Sequence, residues 1–149
     1  MIINRHPDDL NFKGSCPYHD NCLETLASGP SIESRWHKKA IDLYENDKVW
    51  QMEAYYLGMA LCNCIMCYSP EKIILGGGVI HTPGLIERIR QETLYQLTGY
   101  IRKEEILDYI DEYIVLPELG EDSGVMGAIE LGKQELNHKW IINRNITNG

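Results

Sequence analysis

The stretch KIILGGGV, Lys72 to Val79, sets a short β-branched run directly against three glycines. Ile73, Ile74 and Leu75 are apolar without alternation, the pattern of a strand covered on both faces in a parallel sheet. Glycines after such a strand let backbone amides approach a ligand closely, because no Cβ stands in the way and positive φ is freely available. Successive amides of this kind form concavities that favour anions. No Gly-Lys-Ser/Thr follows, and the glycines do not fit G-x-G-x-x-G, so neither nucleotide signature applies. The same turn serves equally well as a plain strand-to-helix connection.

Working outward, Val49 to Tyr68 places Trp50, Ala54, Leu57, Leu61, Ile65 and Tyr68 at helical spacing, while Tyr56, Met59, Ala60, Cys64 and Cys67 make the other faces apolar too. That predicts a helix buried nearly all round, stopped by Ser69-Pro70. Downstream, Thr82-Pro83 opens a helix striped by Ile86, Ile89, Thr93 and Leu97 to about Tyr100. A helical linker from Lys103 to Ile110 leads to a strand over Tyr113–Leu116, a glycine-bearing loop over 119–124, and a last helix from about Val125 to His138. Asp122-Ser123-Gly124 reads as its cap, and residues 139–149 as a frayed tail. Upstream, Met1 to Asn4 finishes a strand, and a polar loop runs from Arg5 to Asn21. A brief helix from Leu23 then reaches Ser28-Gly29-Pro30, and Pro30 begins a second helix to about Glu45. The order is α/β, with parallel strands and with ligands expected at their carboxyl ends.

A chain of 149 residues fits one domain or one lobe of something larger. Its net charge of −8, with basic residues interspersed among acids, argues against a nucleic acid partner. Ala54 to Met66 falls short of the ~18 apolar residues of a membrane helix, so no membrane association is expected. Residues 1–20 lack the layout of a secretory signal, which places the five cysteines by default in a reducing cytoplasm, and their odd number disfavours a disulfide framework.

The chemically most specific segment is SCPYHDNCLE, Ser15 to Glu24. Cys16-x-x-His19-x-x-Cys22 offers two thiolates and an imidazole at spacings that let one turn aim them at a single point, as tetrahedral zinc requires. A disulfide or a chance cluster is the competing reading. Zinc takes four ligands, and the fourth is left open among His6, water and a side chain of another chain. Cys62, Cys64 and Cys67 lie in the apolar helix, where 62 and 64 point about 160° apart, and read as packing rather than redox chemistry. Asp8 and Asp9 read as solvated acids, Trp36 and Trp50 as core, and Ser28-Gly29-Pro30 as a tight helix-helix turn that can also bring Gly29 near a ligand.

Taken together, Arg5-His-Pro-Asp-Asp9, Gly14-x-Cys-Pro-Tyr-His-x-x-Cys-Leu-Glu24, Leu26-Ala-Ser-Gly-Pro-x-Ile-Glu33 and Lys72-Ile-Ile-Leu-Gly-Gly-Gly-Val79 closely resemble the carboxyl-terminal part of bacterial fructokinases of the ROK family, from about residue 1 to 137. The resemblance implies the carboxyl-terminal lobe of an actin/hexokinase-like, ribonuclease-H-like fold over residues 1–138, with a zinc loop at 5–24 and a nucleotide loop at 75–80. It implies transfer of the γ-phosphate of Mg-ATP to fructose, a structural zinc on Cys16, His19 and Cys22, and a nucleotide segment at Gly76, Gly77, Gly78 and Val79. Family members also carry an Asp-x-Gly-Gly-Thr phosphate loop, a catalytic aspartate, and a Gly-His dipeptide whose histidine resembles the first zinc ligand. None of these is in this sequence, which assigns no catalytic residue to it and predicts that the chain alone is inactive. The expected partners are nucleotide, hexose and, through an exposed cleft face, another copy or subunit. A zinc-stabilised binding or interaction module without catalysis is the alternative. Repression is disfavoured for want of a helix-turn-helix or basic patch.

Overall fold

The computed structural model of the chain describes residues 1–147, and the side chains of all of these except residue 121 and those from 137 on. They fall into two units, Met1–Leu116 and the segment from Pro117, each taken by itself.

The first unit is built on the helix that the apolar periodicity predicts. It spans Asp47–Tyr68 (α3), preceded by two shorter helices, Leu23–Leu26 (α1) and Gly29–Trp36 (α2). From Val49 to Leu61 only Gln51 is exposed, so the all-round burial holds for the first turns. It fails at the end, where Met66, Cys67 and Tyr68 are exposed and Ser69 closes the helix in the left-handed conformation. The cysteines therefore part company. Burial pushes the Cys62 thiol up to about 11, with its Sγ 3.4 Å from the Thr93 carbonyl, while Cys67 faces out instead of packing.

Helix Leu85–Leu97 (α4) lies along α3 in the most extensive element pairing of the unit. Gly58 makes that approach possible, since a Cβ there falls 2.8 Å from Glu92 Cγ and 3.2 Å from the Thr93 amide nitrogen. The main core gathers Trp50, Ala54, Leu61 and Ile65 of α3 with Leu85, Ile86, Ile89 and Leu97 of α4. A smaller cluster holds Ile3, Leu26, Met52 and Tyr56.

The two predicted strands pair in parallel, Ile73–Ile74 (β1) with Ile114–Val115 (β2), and the Leu75 amide extends the ladder to the Val115 carbonyl at 2.8 Å. Both are shorter than the apolar runs. Tyr113 belongs to a helical turn, Ile110–Tyr113 (α6), and its hydroxyl donates to the Pro70 carbonyl at 2.8 Å. The linker helix is likewise broken, into Glu104–Leu107 (α5) and α6. Arg90 of α4 caps this region, donating to the carbonyls of Asp111 and Ile114 at 2.8–2.9 Å.

Other boundaries also move. The helix expected from Pro30 to Glu45 ends at Trp36, because His37 turns left-handed and its amide closes on the Glu33 carbonyl. A 3-10 turn over Ala40–Leu43 follows. The helix expected at Thr82 starts at Leu85, after a 3-10 turn over Gly78–His81 and Gly84 at φ 76°. Met1–Asn4 is reduced to a single antiparallel bridge, Ile2 with Cys22, flanked by Leu23 amide to Met1 carbonyl and Ile3 amide to Asn21 carbonyl bonds.

In the second unit a 3-10 turn over Gly120–Asp122 runs into the helix Ser123–Thr147 (α7), so the backbone stays helical well past His138. Asn148 and Gly149, the end of the expected frayed tail, lie outside the described residues.

Gly58→Val is expected to lower stability by roughly 1–3 kcal/mol through overpacking against α4. Urea denaturation followed by far-UV circular dichroism checks this, and an unchanged midpoint would show that α3 and α4 can separate at no cost.

Candidate functional site

The loop from Arg5 to Asn21 has almost no regular secondary structure, so side chains supply the bonds that fix it. Arg5 donates to the carbonyls of Asp9, Phe12 and Asp20, tying three points of the loop to one guanidinium. Ser31 at the start of α2 reaches Ser15 at 3.0 Å and Ser28 at 2.9 Å, and donates to the Glu24 carbonyl at 3.0 Å. Thr25, fully buried on α1, accepts from the Cys16 amide at 2.9 Å and donates to the His19 carbonyl at 3.1 Å.

The result brings the three predicted metal-binding residues together. Ligand atoms of Cys16, His19 and Cys22 all lie within 4.8 Å of one another, and Cys16 Sγ is 3.9 Å from His19 Nδ1. The backbone at Tyr18 and then at His19 hydrogen-bonds the Cys16 sulfur and holds its thiol below the ordinary value, with Cys22 and Thr25 adding to the effect. Two thiol sulfurs and an imidazole nitrogen converging on one point are a donor set that zinc accepts. The cysteines are free in this arrangement rather than disulfide-bonded.

His6 does not join them. Its Nδ1 accepts from the Asp8 amide at 3.1 Å, and its ring stands edge-on to Tyr55 at 4.8 Å. Among the described residues the group holds three donors only.

Asp9 overturns the reading of a solvated pair. Asp8 is exposed, but Asp9 is buried and accepts from Arg35 Nε at 2.9 Å and from the Tyr56 hydroxyl at 2.6 Å. Arg35 also donates to the Leu26 carbonyl at 2.9 Å, reaches Glu53 Oε1 at 3.4 Å, and sits over the Phe12 ring at 4.2 Å. Sequence reading missed Arg35, Glu53 and Tyr56. The one available signal was a glutamate at position 53 inside an apolar helix face, where a charge needs a partner.

Two carboxylates share one guanidinium here, so one of them is electrostatically surplus. Glu53, fully buried and with Oε2 lacking a hydrogen-bond partner among the described side chains, is pushed up to about 8, chiefly by burial and opposed by Arg35. The Tyr56 hydroxyl is pushed up as well, by burial and by its bond to Asp9.

The glycine turn after β1 is open. Gly76, Gly77 and Gly78 are exposed, Val79 is half-buried, and Gly77 takes φ 110°, a conformation that favours glycine. A Cβ added at Gly77 or Gly78 meets nothing within 4 Å, so the turn leaves room for a ligand. The second glycine-bearing turn converges on it, because a Cβ built on Gly29 lies 3.9 Å from Val79 Cγ2. The Ser28 side chain caps α2 at this point by accepting from the Ser31 amide.

Comparison with known proteins follows the same lines. The model of the ROK family matches residues 4–135. The chain is 46% identical over 136 residues to a protein of Bacillus subtilis (strain 168) provisionally named a fructokinase, covering 91% of this chain and 45% of that protein. It is 40% identical over 136 residues to the fructokinase of Pediococcus pentosaceus, covering 91% and 46%. Among solved structures, the ROK hexokinase from Thermus thermophilus superposes with a TM-score of 0.63 at 23% identity, over 80% of this chain and 43% of that one. The α/β fold of the chain is therefore that of part of an actin/hexokinase-like kinase. The chain spans about half the length of the curated relatives it matches.

Glu53 sets a pH dependence. The folded chain holds its proton up to about 8, against an ordinary value of 4.5, so between these limits the folded state carries more protons than the unfolded state and stability falls as pH rises. From pH 5 to pH 8 this amounts to on the order of 4 kcal/mol. Glu53→Gln is expected to remove that slope. Urea midpoints of both chains across this range check it, and parallel profiles would contradict the burial argument.

Proposed function

The chain belongs to the ROK family, and from that premise we propose that it forms one lobe of a fructokinase, which transfers the γ-phosphate of Mg-ATP to fructose and releases fructose 6-phosphate. The observation that carries the reading is its 40–46% identity, across nine tenths of its length, to relatives bearing the fructokinase name.

Within it Cys16, His19 and Cys22 hold a structural zinc ion that shapes the sugar side of the cleft. The convergence of their donor atoms and the lowered Cys16 thiol support this. Zinc's fourth position is filled by water or by a side chain outside this group, since His6 is engaged with Asp8 and Tyr55. Gly76, Gly77, Gly78 and Val79 line the nucleotide, with the open turn and the positive φ of Gly77 in support. Bound Mg-ATP supplies the phosphoryl group and the metal charge that phosphoryl transfer needs.

No residue of this chain is assigned as the catalytic base. A base must come within about 3 Å of the attacking hydroxyl, and the sequence contains no Asp-x-Gly-Gly-Thr loop to seat the phosphates opposite the glycine turn. Catalysis in this reading requires a second lobe that supplies both, and the 149 residues alone are inactive. The surface favours such pairing. Met66, Tyr68 and Ile74 are at least half exposed at the end of α3 and on β1, and a parallel sheet is ordinarily covered on both faces. Either a second lobe or another copy of the chain meets this need. The place of action is the cytoplasm, where ATP and reduced thiols coexist; among the described residues no helix is long and apolar enough to cross a membrane.

The purified chain is expected to phosphorylate no fructose, and to gain ATP-dependent turnover when mixed with the Asp-x-Gly-Gly-Thr lobe of a ROK fructokinase. Turnover by the chain alone within the ordinary kinase range of about 1–100 per second would remove the need for a second lobe. A mixture that phosphorylates other hexoses and leaves fructose untouched would overturn the substrate. Elemental analysis of metal-replete protein is expected to give one zinc per chain, and near none for Cys16→Ser.

A further inference from the structure

Thr25 has no part in the family motifs that mark the metal loop, and as a neutral residue it is not an expected ligand. Its surroundings single it out. It is fully buried, and its one hydroxyl is used in both directions, accepting from the Cys16 amide at 2.9 Å and donating to the His19 carbonyl at 3.1 Å. The third donor, Cys22, lies just before α1, the helix that carries Thr25, and the Leu26 amide closes that helix onto the Cys22 carbonyl at 3.1 Å. One side chain thus ties the backbone at two of the donors to the helix that positions the third.

The loop makes room for it. Gly14 takes φ 79°, and a Cβ there falls 2.1 Å from Thr25 Cγ2, so any side chain at position 14 collides with the threonine methyl. The methyl occupies the space left by the glycine, and the hydroxyl of the same side chain bonds the loop backbone. A loop without a ladder of its own pays conformational entropy to bring three ligands together, and that cost is reduced when the ligands are held in place beforehand.

We propose that Thr25 is the positioning residue of the Cys16–His19–Cys22 metal site, its hydroxyl holding the ligand-bearing backbone in register for the incoming cation. The inference rests on the reading that these three residues bind a metal. It assigns to Thr25 the orienting work that hydrogen-bond partners of ligands perform in metal sites generally, where losing one costs 10–100-fold in affinity.

The test uses Co2+ as the probe, because thiolate-bound Co2+ absorbs in the near ultraviolet and tetrahedral Co2+ in the visible. The unsubstituted 149-residue chain is titrated first, with Cys16→Ser as control. Absence of Co2+ binding by the unsubstituted chain removes the metal reading and this inference with it. Given binding, Thr25→Val keeps the shape and loses the hydroxyl, and is expected to weaken Co2+ binding by about 10–100-fold with a shifted visible band. Thr25→Ser keeps the hydroxyl and loses the methyl, and is expected to stay within about threefold of the unsubstituted chain, well inside that range. A merely structural threonine would lower the urea midpoint of the metal-free chain in both variants without separating their affinities. Binding by Thr25→Val as tight as in the unsubstituted chain overturns the proposal and leaves the metal reading standing. So does a Thr25→Ser variant weakened by about 10-fold or more against the unsubstituted chain, and that arm decides the matter by itself where Thr25→Val does not fold.

Discussion

The buried guanidinium of Arg35 is the interaction on which the arrangement of the site depends. A charge removed from water must be paired and hydrogen-bonded, and here the partners come from everything the site is made of. Asp9 belongs to the loop from Arg5 to Asn21, the Leu26 carbonyl to the end of α1, Glu53 to the central helix, and Phe12 to the loop again, beneath the planar face of the guanidinium. Arg35 itself stands in the last turn of α2. None of these segments can shift without leaving a buried charge unsatisfied, so the cluster acts as a joint between an irregular loop and a regular helical frame.

That frame exists because α3 is apolar on most of its circumference and α4 can come close to it. Gly58 supplies the close approach, and the core between the two helices extends to Ile80, Ile106, Tyr113 and Ile114, which anchor the parallel ladder. The glycine turn leaves the ladder at its carboxyl end, where open α/β sheets present ligands. At the same place Gly29, in the α2 start capped by Ser28, comes to Val79. The start of α2 thus links the two loops that carry the family's motifs, reaching Ser15 through Ser31 and Val79 through Gly29.

The loop that carries Cys16 and His19 solves a different problem. It lacks a backbone ladder, and side chains bond its backbone instead, Arg5 at the Phe12 and Asp20 carbonyls and Thr25 at the Cys16 amide and His19 carbonyl. Such a scaffold places side chains well only if its own donors and acceptors are satisfied, which explains why polar residues concentrate around Cys16, His19 and Cys22. Met66 and Tyr68 at the end of α3 and Ile74 on β1 remain exposed.

The sequence by itself determined what depends on local order. The apolar run of α3, the β-branched stretch before three glycines, and two cysteines bracketing a histidine at short spacing are each legible within a few residues, and each is where it was expected. Boundaries were less legible, since His37 turns left-handed to end α2 and Gly84 at positive φ postpones α4, single-residue conformations that the apolar periodicity does not encode. Position 9 was misread for the same reason. An aspartate on a polar loop looks solvated until an arginine 26 positions later and a tyrosine 47 positions later fold over it. His6 likewise looked available for metal until Tyr55 and Asp8 engaged it. Tertiary structure alone decided the pairing of buried charge and the use of Thr25, because desolvation is a property of the assembled surroundings and not of any residue or its neighbours in the chain.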